Sequence, residues 1–187
     1  SIDTNLQTIH QNFLNIIDNK KKIKNYDYLE NQKFNSIFHD FEMNNYIHFH
    51  FDEKWFFKDY IKEYTRIEPS LNELLNFLNT LSNKNNVVIT TGIIPNEIYD
   101  NIIKNHCSQL GGKKFIFNEN KKILFILYPD FNDLIAISKK SKTLITCHGA
   151  MTHIANCFNV KIIDIIDKKK EKFDSRCTSY IKNYSPT

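Results

Sequence analysis

Strands that alternate with helices between residues 46 and 166 predict an α/β domain, a Rossmann-like parallel sheet with helices on both faces. Three observations carry this. Residues 46–51 alternate strictly, with Tyr46, His48 and His50 on one face and Ile47, Phe49 and Phe51 on the other. Residues 71–81 carry the helical stripe Leu71, Leu74, Leu75, Leu78 and Leu81 behind Pro69 and a Ser70-x-x-Glu73 capping box. Short apolar runs then recur at 87–91, 123–127, 143–146 and 160–166, separated by stretches long enough for helices or turns.

The remaining elements follow in order. Leu6, Ile9, Phe13, Ile16 and Ile17 form a helical stripe over 3–19, and Lys20, Lys21, Lys22 and Lys24 close it where cations suit a helix C-terminus. Residues 25–45 lack periodicity and read as a connector, so 1–45 is an N-terminal appendage to a domain over 46–187. Residues 52–55 read as a loop. Pro95, Asn96 and Glu97 open a helix with Ile98, Ile102 and Ile103 inward, and Gly111–Gly112 is expected to end it. Residues 115–117 and 123–127 read as strands around the turn 118–120. Asp130 can cap a helix bearing Leu134, Ile135 and Ile137. Residues 148–150 make a sharp turn before a short helix over 151–158, and a Lys- and Tyr-rich tail closes the chain.

Composition narrows the function. With only 4 Gly among 187 residues there is no G-x-G-x-x-G and no G-x-x-x-x-G-K-[ST], so dinucleotide and P-loop signatures are absent. No apolar run approaches the roughly 18–20 residues of a membrane span. The charge is +4, almost all of it from Lys, with Arg only at Arg66 and Arg176. So few arginines argue against base-reading and against nucleic acid as a partner, and a mildly basic chain suits phosphate-bearing small molecules or an anionic membrane surface. Cys107, Cys147, Cys157 and Cys177 form no C-x-x-C pair, so reduced thiols in a cytoplasmic protein are expected. No secretory signal is read, and a start at Ser1 without Met fits a piece of a longer chain.

In a parallel α/β sheet, ligands bind beyond the carboxyl ends of the strands, so the loops 52–55, 92–97 and 147–153 carry the chemistry. The third reads T-C-H-G-A-M-T-H-I-A from Thr146. A strand ends, Gly149 allows close backbone approach, and a helix starts on Ala150, Met151 and Thr152. Free N–H groups there suit an anion such as a diphosphate, and Thr152 adds a hydroxyl. His148 and His153 flank the turn. Lys54 supplies a cation from the first loop, where Trp55 packs. Gly92 ends the second strand, and Glu97 can accept from ribose hydroxyls or simply suit the helix dipole.

The block 144–166 resembles the D-[ST]-G-x-x-H-L-x-A turn, helix and following strand of glycosyltransferase family 9, the heptosyltransferases. His48-x-His50-x-Asp52-Glu53-Lys54-Trp55 is similar to that family's strand and K-x-W donor loop, and 87–92 with Glu97 to its next strand and ribose-side loop. The likeness covers about residues 46–166. Aligned on His153, the family's Asp position holds His148 and its Gly position Ala150, so the carboxylate that contacts the donor is replaced. The H-G-A turn also resembles the family that includes plant xylosyltransferases, and both groups share the two-domain GT-B architecture.

The resemblance implies the donor half of such an enzyme. It would hold a nucleotide-diphosphate sugar through Lys54, Gly92, Glu97, His148, Gly149, Ala150, Met151, Thr152 and His153. The acceptor, a glycan or lipid-linked molecule, and the catalytic base would belong to a missing half, so transfer by this chain alone is not expected. The resemblance implies no cofactor besides the donor and no metal. It implies a cytoplasmic location, with peripheral contact at the inner membrane face. Two alternatives stand beside it: a non-catalytic nucleotide-sugar-binding module, and a metal-dependent hydrolase in which His48 and His50 serve as an H-x-H ligand pair with Asp52, Cys147 and His148 nearby.

Overall fold

The computed structural model describes residues 45–56, 68–147 and 149–165. The expected helix at 3–19, the connector, His148 and the C-terminal tail lie outside the described residues.

Strand β1, Tyr46–Phe51, is buried along its whole length. Helix α1, Leu71–Ser82, starts at the reciprocal Ser70–Glu73 capping box and buries Leu74 and Leu78. Strand β2, Asn86–Thr91, is followed by α2, Glu97–His106, whose N-terminus is capped by the Asn96 side chain accepting from the Ile98 N–H. A hairpin of β3, Cys107–Gly111, and β4, Lys114–Phe117, leads into β5, Ile123–Ile126. Helix α3, Phe131–Lys140, is capped by Asp130, and β6 is Thr143–Cys147. Helix α4, Ala150–Cys157, and β7, Lys161–Ile165, complete the described fold.

The seven strands form one sheet in the order β3-β4-β5-β2-β1-β6-β7. The five strands from β5 to β7 in that order are mutually parallel, and β4 runs antiparallel to both β3 and β5. The sheet is therefore mixed, with a parallel body and an antiparallel hairpin on one edge. The helix expected to reach Gly111–Gly112 stops at His106 instead. Its apolar stripe does not continue past Ile103, and residues 107–111 find a partner in β4. The two glycines, at φ 150° and 53°, make the hairpin turn rather than a helix end.

Helices cover both faces. Phe49, Phe51, Val87, Ile89, Ile123 and Phe125 pack with Leu74 and Leu78 of α1 and Tyr99 and Ile102 of α2. On the opposite face, Tyr46, Val88, Leu124 and Ile126 meet Ile137 of α3, and Leu144 meets Met151 and Ala155 of α4. Burial on both faces explains why the polar residues of β1 are as inaccessible as its apolar ones. Two phenols tie helices and strands: Tyr99 donates to the Phe51 carbonyl at 2.6 Å and Tyr46 to the Ile137 carbonyl at 2.7 Å. Among the described residues, no helix is long and apolar enough to cross a membrane.

From β1 the chain winds one way through β2 to β5, then returns to place β6 on the other side of β1. The order reverses between β1 and β6, and the crevice beyond their carboxyl ends is where such sheets hold ligands. Leu78→Ala should lower unfolding free energy by about 2–5 kcal/mol, because it opens a cavity in the larger core cluster. Ile93→Ala, at a side chain that is 80% exposed, should change it by about 0.5 kcal/mol or less. Urea denaturation of both variants checks the contrast.

Candidate functional site

The site begins where β1 runs out. Asp52 keeps an extended backbone, and its side chain caps a single 3-10 turn, Glu53–Trp55, by accepting the Lys54 N–H at 3.2 Å. The Trp55 ring packs on Phe49 and Phe51, with centroids 5.3 and 5.7 Å away, and its indole N–H donates to the His50 carbonyl at 3.0 Å. This anchors the turn and leaves the Lys54 ammonium paired with the second Asp52 oxygen.

Two glycines at the ends of the neighbouring strands accommodate this loop. Beyond β6, a Cβ placed on Gly149 would lie 2.8 Å from Lys54 Nζ and 3.0 Å from its Cε. Beyond β2, a Cβ on Gly92 would lie 1.9 Å from Glu53 Oε2 and 3.0 Å from the Asp52 Cβ. The structure thus brings Lys54 against Gly149 at the reversal of strand order and sets Gly92 under the other side of the loop.

Helix α4 begins at that same turn. The helices α1, α2 and α3 each start under a side-chain cap, whereas Gly149 provides α4 with none. The Thr152 N–H bonds the Gly149 carbonyl at 3.0 Å, and the buried Thr152 hydroxyl has no hydrogen-bond partner among the described residues. Ala150 is exposed as the first helical residue, and His153 is half-buried. Met151 is a core residue beside Leu144 and Ala155, so it can offer a ligand its backbone but not its side chain. Glu97 is exposed in the first turn of α2, where its charge suits the helix dipole.

Behind Lys54, the polar face of β1 holds a continuous buried chain. Ser138 Oγ of α3 is 3.1 Å from His48 Nδ1, and His48 Nε2 is 2.7 Å from Thr90 Oγ1. Thr90 Oγ1 is in turn 2.9 Å from His50 Nδ1, and His50 Nε2 is 3.5 Å from Asp52 Oδ2. Burial, reinforced by the neighbouring His50, holds His48 well below the ordinary histidine range, so its ring is neutral. Burial acts to raise the Asp52 pKa. The contact and charge of His50, with those of Lys54, outweigh it and hold the carboxyl below its usual range.

All four imidazole nitrogens thus already face protein polar groups. Among the described residues, no group of three or more His, Cys, Asp or Glu side chains could hold a metal ion. His148, expected near the His-x-His pair, lies outside the described residues, and His48 and His50 of that pair form the middle of a hydrogen-bond chain. Sequence reading missed Thr90 and Ser138 as its members. The alternation of β2 could have put Thr90 on the histidine face, but nothing local points to Ser138.

No protein-family model, no curated protein and no solved structure matches this chain.

Two outcomes test this geometry. Gly149→Ala needs only the flexible end of Lys54 to move, whereas Gly92→Ala also presses on the Asp52 Cβ. Thermal melts should therefore show Gly92→Ala as the more destabilising. Asp52→Asn should lose about 1.5–3 kcal/mol at neutral pH, the worth of hydrogen bonds to a charged group. The folded pKa of Asp52 is depressed, so its contribution is fully present above the unfolded value of about 3.9. It fades as pH falls through the lower folded value. The difference between variant and parent in denaturant unfolding should shrink with acidification.

Proposed function

We infer that the chain is the donor-binding half of a metal-independent, heptosyltransferase-like GT-B glycosyltransferase. It would hold a nucleotide-diphosphate sugar for transfer to a glycan or lipid-linked acceptor. The observation that carries this reading is the contact of Lys54 with Gly149 at the crevice between β1 and β6. A diphosphate seated there would meet the ammonium of Lys54, the first N–H groups of α4 and the hydroxyl of Thr152.

Charge that develops on the leaving diphosphate would be stabilised by Lys54 and the helix N-terminus, both already in place before reaction. Glu97, on the neighbouring loop, is assigned to ribose hydroxyls. The group that activates the acceptor belongs to a separate half, so this chain alone binds and does not transfer. The compartment that fits is the cytoplasm or the inner membrane face.

Calorimetry with UDP, ADP and GDP tests the reading, with transfer assays run in parallel. The parent should bind one of them weakly and transfer nothing. Lys54→Ala should weaken binding about ten- to a hundredfold, and Glu97→Ala should weaken it less. Gly149→Asp should abolish binding by placing a carboxylate at the phosphate position. If Gly149→Asp melts like the parent and binds like it, the turn is not the phosphate site. Sugar transfer by the chain alone would place the base here rather than in a separate half.

A further inference from the structure

The chain from Ser138 to Asp52 has only two self-consistent proton arrangements. A hydroxyl between two imidazole nitrogens has a single proton, so it donates to one ring and accepts from the other. Ionised Asp52 can only accept. With His50 neutral, its proton therefore sits on Nε2 facing Asp52, and its Nδ1 accepts from Thr90 Oγ1. Thr90 then accepts from His48 Nε2, and His48 Nδ1 accepts from Ser138 Oγ. A second proton on His50 must go to Nδ1, and every bond behind it reverses. His50 Nδ1 donates to Thr90, Thr90 donates to His48 Nε2, and His48 Nδ1 donates to Ser138. In the first state every donor of the chain meets an acceptor; in the second Ser138 Oγ accepts from His48 and its own proton turns away from the ring, while His48 stays neutral and changes tautomer.

The outer end of this chain is the anion site. His50 and Lys54 share the Asp52 carboxylate. With His50 neutral, the Asp52–Lys54 pair carries no net charge; with His50 protonated, the cluster is positive by one unit. We propose that His50 is the charge-setting residue of the Lys54 site: an anion seated against Lys54 and the Gly149 turn drives uptake of one proton from solvent onto His50 and reverses the hydrogen bonds through Thr90, His48 and Ser138. This rests on the anion site proposed above, and not on which nucleotide or sugar occupies it.

The nearest competing group is the Glu53 carboxyl on the adjoining turn, whose Oε2 is buried without a hydrogen-bond partner among the described residues. Asp52 and Lys54 lie on the same turn, and His48 is on the same strand with its ring centroid 6.1 Å away. The buried side chains around this face on β2, β6 and α3 are Thr90, Leu144, Thr146 and Ser138, none of which ionises at neutral pH. The charges of α3 are Asp133, Lys139 and Lys140, all at least partly exposed, and α4 contributes the half-buried His153. An anion at Lys54 favours the protonated imidazole, and by linkage a lower pH tightens the anion.

Imidazole 1H–15N NMR of the full 187-residue chain, titrated between about pH 5 and 8, tests this. Sodium sulfate is the probe, against chloride at equal ionic strength, because sulfate does not titrate in that range. As His50 protonates, His48 should pass from the Nε2–H to the Nδ1–H tautomer at the same pH without gaining charge. Sulfate should move both changes upward by about half a pH unit, a threefold linkage. Lys54→Ala should remove the sulfate effect and keep the coupled change. Thr90→Val should uncouple the two rings, and Thr90→Ser should restore them.

A His48 that keeps one tautomer while His50 titrates would overturn the proposal, as would midpoints that sulfate leaves in place. Both readouts come from the parent protein, so they decide the matter even where a variant fails to fold. A sulfate shift without nucleotide binding would leave this inference standing and remove the glycosyltransferase reading. Nucleotide binding without the shift would do the reverse.

Discussion

The Asp52 carboxylate is the group around which the end of the sheet is organised. It is only 3% exposed, yet its contacts keep it ionised. A buried anion is tolerated only where donors converge on it, because desolvation otherwise costs several kcal/mol. The Lys54 N–H, the Lys54 ammonium and the His50 ring meet that requirement. Each of those contacts then constrains something else. The backbone contact sets the 3-10 turn, and the ammonium contact folds Lys54 over the crevice. The turn also explains the two glycines, since a side chain at either strand end would occupy space that Lys54 or Glu53 already fills.

Topology places this carboxylate where it matters. In a parallel sheet the loops after neighbouring strands emerge at one edge, and β1 lies between β2 and β6. Its loop is therefore flanked by Gly92 and Gly149 without any long-range adjustment of the chain. The reversal of strand order between β1 and β6 keeps helices α1 and α4 on opposite faces, so neither of these two helices closes over the crevice between those strands. The antiparallel hairpin sits at the far edge, beyond β5, and leaves this arrangement untouched.

Much of this was legible in the residues. Strict alternation marked β1, and the Ser70–Glu73 box, Asn96 and Asp130 marked three helix starts because each is a local hydrogen-bonding device. The Gly149 turn and Lys54 could be named because a parallel sheet brings its loops to one edge. The hairpin was not legible, since Cys107–Gly111 has no apolar stripe of its own and becomes a strand only through pairing with β4. The histidines were visible as a pair but not as the middle of a hydrogen-bond chain. Their meaning depends on Ser138, 90 residues away in sequence, and on burial that only tertiary packing creates. Met151 shows what position alone leaves open: its backbone follows the Gly149 turn, while helical geometry turns its side chain into the core.

The pairing of Lys54 with Asp52 also decides what kind of anion site this edge can be. A lone exposed lysine attracts anions but must be ordered on binding, at a cost in side-chain entropy. Here the ordering has already occurred on folding, and Lys54 points at Gly149 before any ligand arrives. The consequence is that its charge is largely cancelled by the carboxylate that holds it. Attraction for an anion must therefore come from groups that add to the pair: the uncapped N-terminus of α4, the Thr152 hydroxyl, and any proton gained by His50. An anion site built in this way would trade raw affinity for geometry, and with the proton proposed for His50 its net charge would be set inside the sheet rather than at its surface.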